Sequence, residues 1–170
     1  MKIFLIGLPG CGKSTLGKQL AEVMKVPFVD LDSEIEKTIG IPIKSIFKKY
    51  SESFFRKEES EQLHKLSVTR EDFVMATGGG APVFFDNMKF MNQHGRSIFL
   101  DIPPREIVHR ILATELDERP LLANTHPEEL KDQIEFLRSQ RISFYQQAHI
   151  RLAKDTIQIS DVLSALKENP

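Results

Sequence analysis

The chain has a single cysteine in 170 residues, Cys11, which excludes an intrachain disulfide framework and a cysteine-rich zinc module. It has no excess of either charge. With 23 Lys+Arg against 24 Asp+Glu the formal charge is −1, which gives no electrostatic footprint for nucleic acid or an anionic membrane as main partner. No apolar run approaches the ~20 residues of a membrane span. The run Ile3-Phe4-Leu5-Ile6 after Lys2 is too short for a signal peptide and is broken at once by Gly7, Pro9 and Gly10. His64, His94, His109, His126 and His149 are scattered without H-E-x-x-H or other metal spacing, and no G-x-S-x-G elbow is present. What remains is an ordinary globular composition, 41% apolar and 28% charged. A chain this long buries about two-thirds of its extended surface without staples. One domain over residues 1–170, in the cytoplasm, is the expectation.

Strand and helix patterns alternate along the chain. Ile3–Ile6 is a continuous apolar run bounded by glycine, the pattern of a buried parallel strand. A helix follows Gly12, with Leu16, Leu20, Val23 and Met24 on one face. Val26–Leu31 reads as a second strand, followed by a helix from about Ser33 to Gly40 and two more at about 43–50 and 54–68. Phe73–Ala76 and Ser97–Ile102 are the third and fourth strands, separated by a helix at Asn87–Gln93 that Gly95 ends. Pro103-Pro104 opens a helix through about Leu116. Asp117–Pro127 is polar, carries Pro120 and Pro127 and has no apolar period, which marks a candidate mobile loop. One long helix over Glu128–Arg151, a fifth strand at Thr156–Ile159 and a helix at Asp161–Glu168 close the reading. The expected fold is α/β, a five-stranded mainly parallel sheet flanked by helices, with the ligand crevice at the carboxyl ends of the strands.

Gly7-Leu8-Pro9-Gly10-Cys11-Gly12-Lys13-Ser14 matches G-x-x-x-x-G-K-[ST] in full, between a predicted strand and a predicted helix. Glycines let successive N–H groups turn inward around phosphate, and the helix that follows points its positive end at the anion. Lys13, in a loop read as solvent-facing, would reach the β/γ-phosphates, and the Ser14 hydroxyl would ligate Mg²⁺. Cys11 reads as filler in that loop rather than as a nucleophile. Asp30 and Asp32 close the second strand as D-L-D. On a strand they share a face, so one could hold the metal through water while the other orients an attacking hydroxyl. The alternative makes Asp32 a helix N-cap and Asp30 a solvated strand end. Gly78, Gly79 and Gly80 after the third strand suit close approach of backbone to a ligand, or simply a tight turn. Arg119 stands out by its place in the suspected loop, where it could close over a transferring phosphate. Arg56 and Arg141 have nothing local to set them apart from solvated helix charges.

Taken together, the residues resemble the shikimate kinases, small P-loop kinases of nucleoside-monophosphate-kinase fold. The phosphate loop, Asp30-Leu31-Asp32, Phe55-Arg56 with Glu59, Gly78-Gly79-Gly80, Arg119-Pro120-Leu121-Leu122 and Arg141 four residues before Tyr145 carry the resemblance. Order and spacing agree from residue 3 to about 150. The resemblance implies a three-layer kinase fold with a lid at about 117–127 and a substrate-binding helical segment at about 32–62. It also implies transfer of the ATP γ-phosphate to the 3-hydroxyl of shikimate. It further implies that Gly10, Cys11, Gly12, Lys13, Ser14 and Thr15 bind ATP, with Arg110 packed on adenine. Lys13, Asp32 and Arg119 are then the catalytic residues. Arg56 and Arg141 clamp the shikimate carboxylate, Asp32 and the glycines at 78–80 complete the substrate site, and Phe47 and Phe55 line it. Ser14 and Asp30 serve Mg²⁺. A monomer is expected. Pro9 departs from the methionine common in the family, and Asp155–Ser160 matches weakly, so no nucleotide contact is assigned there. The alternatives are another small-molecule kinase of this fold, for gluconate or a nucleotide, and a catalytically silent kinase-like binding protein.

Overall fold

The computed structural model describes residues 1–118 and 127–169. Arg119 and the greater part of the segment expected as a lid lie outside the described residues. One sheet holds β1 (Lys2–Ile6), β2 (Phe28–Asp30), β3 (Phe73–Ala76), β4 (Arg96–Asp101) and β5 (Ile150–Ala153). Their spatial order is β2-β3-β1-β4-β5 and every pair is parallel. Eight helices among the described residues flank it. They are α1 (Lys13–Met24), α2 (Leu31–Ile39), α3 (Ile43–Lys49), α4 (Glu52–Thr69), α5 (Asn87–His94), α6 (Pro104–Glu118), α7 (Pro127–Tyr145) and α8 (Ile159–Glu168).

β1 lies between β3 and β4, with Leu5 opposite Ala76 and Ile98, and its Ile3-Phe4-Leu5-Ile6 run is fully buried. A strand covered on both faces has no polar side to present, which is why its sequence does not alternate. Because all five strands are parallel, their carboxyl ends lie along one edge. The chain leaves that edge from β1 into the phosphate loop, from β2 into α2, and from β3 into the glycines.

The expected end of the chain is corrected. The helix predicted to run to Arg151 stops at Tyr145, where Gln147 N–H donates to Phe144 O and Ala148 N–H to Tyr145 O. The fifth strand is Ile150–Ala153, paired with Ile98–Asp101, and not Thr156–Ile159. β5 is an edge strand whose burial alternates from Ile150 through exposed Arg151 to half-buried Leu152. One period of alternation with a charge in it imitates the end of an amphipathic helix. The apolar pair Ile157 and Ile159 belongs instead to a loop and the start of α8, where Gln158 and Asp161 form a reciprocal cap.

The end of β4 explains the charge in β5. Asp101 is buried, and its carboxylate accepts from Arg138 Nη1 of α7 at 2.5 Å and from Arg151 Nε and Nη2 of β5 at 2.8 and 2.6 Å. Charge-assisted bonds of this kind are worth ~1.5–3 kcal/mol, less where the cations keep water. Asp101→Ala is expected to lower the unfolding free energy by about 2 kcal/mol, because both arginines are partly exposed and rehydrate. Asp101→Asn, which keeps the shape, should cost less. Urea midpoints at unchanged m measure both, and an Ala variant as stable as the parent would show the tie to be idle.

Candidate active site

The phosphate loop leaves β1 and enters α1 through Gly10 (φ 81°) and Gly12 (φ 96°), left-handed positions that strain any residue with a Cβ. Gly12 provides no side-chain cap and the first turn of α1 has no acidic residue, so the helix end keeps N–H groups for an anion. Lys13 is not solvent-facing as expected. It is buried, and its Nζ donates to the loop's own carbonyls, Gly7 O at 3.0 Å and Leu8 O at 2.9 Å. Cys11 is buried with Sγ 3.8 Å from that ammonium, in keeping with its reading as filler.

The D-L-D reading is corrected in geometry. β2 ends at Asp30, which caps α2 by accepting from Ser33 N–H at 3.3 Å, and Asp32 lies in the first turn of that helix. The two carboxylates therefore do not alternate along a strand, and the capping role falls to Asp30 rather than Asp32. Ser14 Oγ donates to Asp30 Oδ2 at 2.8 Å. A hydroxyl and a carboxylate oxygen meeting at the mouth of a phosphate loop suit Mg²⁺, which takes hard oxygen donors and is bound through one or two protein groups plus phosphates. No cluster of three or more His, Cys, Asp or Glu that could cage a metal occurs among the described residues.

The glycines at 78–80 bring the other charges together. A Cβ on Gly78 would overlap Glu59 Oε1 and stand 3.1 Å from Asp32 Oδ1. On Gly79 it would meet Arg141 Nη1 and Pro9 Cδ, each at 2.9 Å, and on Gly80 the guanidinium of Arg56 at 2.5 Å. None of the three has positive φ, so close approach, and not turn geometry, is what glycine supplies here. Arg56 of α4 is buried and donates to Glu59 Oε2 at 2.8 Å and to Glu52 Oε1 at 3.3 Å. Arg141 projects from α7 one turn before Tyr145, whose hydroxyl donates to Gly79 O at 2.6 Å. Burial pushes the Tyr145 hydroxyl up to about 12, against the opposing pull of Arg141. Burial also raises the Asp32 carboxyl, with Asp30 adding to the rise and Lys13 and Arg56 opposing it.

A cavity of about 970 Å³ joins the two sides. Residues 9–16, Asp30, Asp32, Gly78, Gly79 and Arg110 line it, together with Thr156, Ile157, Gln158, Ile159 and Ser160. The last five belong to the segment whose weak match to the family left it without an assigned nucleotide contact. Arg110 spans the gap, donating from Nη1 to Cys11 O at 3.3 Å and from Nη2 to Asp155 O at 2.8 Å. Arg56, Arg141 and Gly80 are not among the residues that line this cavity, and both guanidinium groups stand against the glycine backbone that borders it. Phe55 is buried against Arg56, and Phe47 packs on Phe55 with centroids 4.7 Å apart; neither is among the residues lining this cavity.

The fold is that of the P-loop kinases, and the chemistry such a loop serves is phosphoryl transfer from a nucleoside triphosphate. A family model described as shikimate kinase matches residues 9–168. The chain belongs to the shikimate kinase family. It is 39% identical over 158 residues to the shikimate kinase of Bacteroides fragilis, covering 93% of this chain and 87% of that protein. The crystal structure of the Bacteroides thetaiotaomicron shikimate kinase superposes with a TM-score of 0.85 at 36% identity, covering 99% of this chain and 95% of that one. The Acinetobacter baumannii shikimate kinase in complex with shikimate gives a TM-score of 0.80 at 33% identity over 98% and 89%.

Glu59 is fully buried, and burial holds its carboxyl above the ordinary value of 4.5, outweighing the attraction of Arg56. A carboxyl whose folded pKa is raised binds more protons folded than unfolded between the two values. Its contribution to stability is therefore complete below about 4.5 and is lost as pH rises through the folded value. Glu59→Gln lacks that slope. Relative to the variant, the wild type is expected to be less stable at pH 8 than at pH 4 in urea melts. A difference that is constant across this range, or that grows in favour of the wild type, would contradict the assignment.

Proposed function

We propose that this chain transfers the γ-phosphoryl group of ATP to the 3-hydroxyl of shikimate, giving shikimate 3-phosphate and ADP in the chorismate and aromatic amino-acid pathway. The observation that carries the reading is the meeting of Asp32, Arg56 and Arg141 on one glycine backbone beside the phosphate loop. Two guanidinium groups suit a planar carboxylate, which accepts paired N–H donors. A carboxylate at Asp32, next to the phosphate end of the cavity, suits an acceptor hydroxyl.

In this reading Gly10, Cys11, Gly12, Ser14 and Thr15 wrap the phosphates at the end of α1. Lys13 exchanges the carbonyls of Gly7 and Leu8 for phosphate oxygens. Ser14 would hold Mg²⁺, with Asp30 serving it through water, and the ion would neutralise charge on the phosphates. Arg110 and residues 156–160 take the nucleoside end. Asp32 holds the acceptor hydroxyl in line and takes up its proton, so that the oxygen forms a bond to γ-phosphorus as the bond to the ADP oxygen breaks. Arg119 takes the role that the family pattern gives it, on the transferring phosphate. The enzyme acts as a monomer in the cytosol.

An ADP-release assay over a panel of acceptors (shikimate, gluconate and nucleoside monophosphates) tests the reading directly. Turnover is expected with shikimate; turnover with another acceptor alone would replace the substrate while leaving the kinase class. Asp32→Asn is expected to lower kcat by about 100-fold while ATP affinity changes far less. Equal loss of both would reduce Asp32 to a helix-start residue.

The carboxylate clamp has its own test. Arg56→Lys and Arg141→Lys keep charge but lose the planar fork, so shikimate KM should rise by about 10-fold or more in each. A shikimate analogue with its carboxylate reduced to an alcohol should be a poor substrate and nearly indifferent to both substitutions. Efficient phosphorylation of that alcohol by the wild type would break the assignment.

A further inference from the structure

We infer that Phe84 is a positioning residue for Arg56, an aromatic brace that holds its guanidinium ready for the acceptor's carboxylate. The inference rests on the proposed role of Arg56 as carboxylate ligand. The Arg56 Cζ lies 5.0 Å from the centroid of the Phe84 ring and 5.1 Å from that of Phe55. Both are within the range in which a ring face attracts a cation. Three of the five guanidinium N–H donors are engaged by Glu52 and Glu59, and two of those bonds are long at 3.3 Å. Polar contacts alone therefore fix the plane weakly, and the rings supply what an in-plane carboxylate needs, a guanidinium that does not rotate.

Phe84 differs from Phe55 in having no other evident purpose. Phe55 is a core residue at 3% exposure, whereas Phe84 is 36% exposed and stands outside the hydrophobic core. An aromatic ring kept at the surface contributes little burial energy, so its contact with Arg56 is its distinguishing feature. The backbone around it is held in place at a cost. Phe85 (φ 51°) and Asp86 (φ 55°) are two successive non-glycine residues in the left-handed region, which is disfavoured for a bulky side chain. Buried Asn87 offsets that strain. Its N–H donates to Phe84 O and its Nδ2 to Ala81 O, each at 3.0 Å, closing the turn on itself. Asn87 Oδ1 then accepts from Ser60 Oγ at 2.8 Å, four residues along α4 from Arg56. The helix that carries the arginine and the loop that carries the ring are thus latched together at one turn's distance.

The test is a substitution series at Phe84 read by steady-state kinetics, with circular dichroism to establish that each variant folds. Phe84→Leu keeps an apolar side chain and removes the ring; Phe84→Tyr keeps the ring. Phe84→Leu should raise the KM for shikimate about 3- to 10-fold, with kcat and the KM for ATP within twofold of wild type. Phe84→Tyr should restore the wild-type value. In an Arg56→Lys background, Phe84→Leu should add much less than it does alone, since the brace no longer has its guanidinium. If Phe84→Leu leaves shikimate KM unchanged, or Phe84→Tyr is as impaired as Phe84→Leu, or ATP KM moves by the same factor, the brace is refuted. Arg56→Lys alone separates the two levels. Unchanged shikimate KM there removes the carboxylate role and the brace with it, whereas a raised KM beside a silent Phe84→Leu removes the brace alone.

Discussion

Three residues of bare backbone at the carboxyl end of β3 are the constraint on which the site depends. Charged side chains from α2, α4 and α7 reach the same few ångströms of chain only because residues 78–80 carry no Cβ to keep them away. An alanine at Gly78 would collide with Glu59, and at Gly80 with Arg56. The phosphate loop ends a neighbouring strand in the same parallel sheet, so the donor and acceptor halves share an edge without sharing residues. Pro9 joins them physically, since its ring and Arg141 Nη1 both crowd the place a Gly79 Cβ would take.

Concentrating charge there has an energetic cost that the surroundings only partly offset. Glu59 Oε2 accepts from Arg56, yet Oε1 is buried with no hydrogen-bond partner among the described residues. Such an atom costs roughly 1–3 kcal/mol. Burial raises both Asp32 and Glu59, and each lies in the field of Arg56. A hydrophobic replacement of similar shape would be easier to fold, so stability alone does not account for these charges. The cations that balance them are themselves restrained. Arg56 is held by two acids and two rings, and α7, which carries Arg141, is tied to the sheet through Arg138 and Asp101 and to Gly79 through Tyr145.

What the sequence made legible follows from how local each signal is. The phosphate loop is eight consecutive residues with a strand before and a helix after, and every part of that pattern is visible without folding the chain. β3 and β4 were readable because buried parallel strands are unbroken apolar runs. β5 was not, because an edge strand buries one side only and its charge, Arg151, serves Asp101 some 50 positions away. Asp30 was read as a strand residue because a helix N-cap and a strand end have the same local composition, and the choice is made by whether Ser33 N–H turns back. Arg56 and Arg141 carry no local mark at all; resemblance alone singled them out, and only tertiary contact puts both on the glycines. Phe84 escaped for a similar reason, since its partner lies 28 positions earlier and nothing in its own segment points to it.

The separation of the two halves bears on how one fold supports different acceptors. The donor half is built into the sheet itself. Its loop follows the central strand and its lysine opens α1. The acceptor half consists of side chains on helices that pack around the sheet edge, where a substitution alters charge or shape and leaves the strands alone. An arginine moved one turn along α4 would no longer reach Gly80, and the same backbone would then offer a different acceptor a different set of donors. On the proposed reading, specificity on this scaffold lies in which helix positions face residues 78–80. That is why the fold and the phosphate loop define the reaction class, while the proposed acceptor site rests on Asp32, Arg56 and Arg141 together.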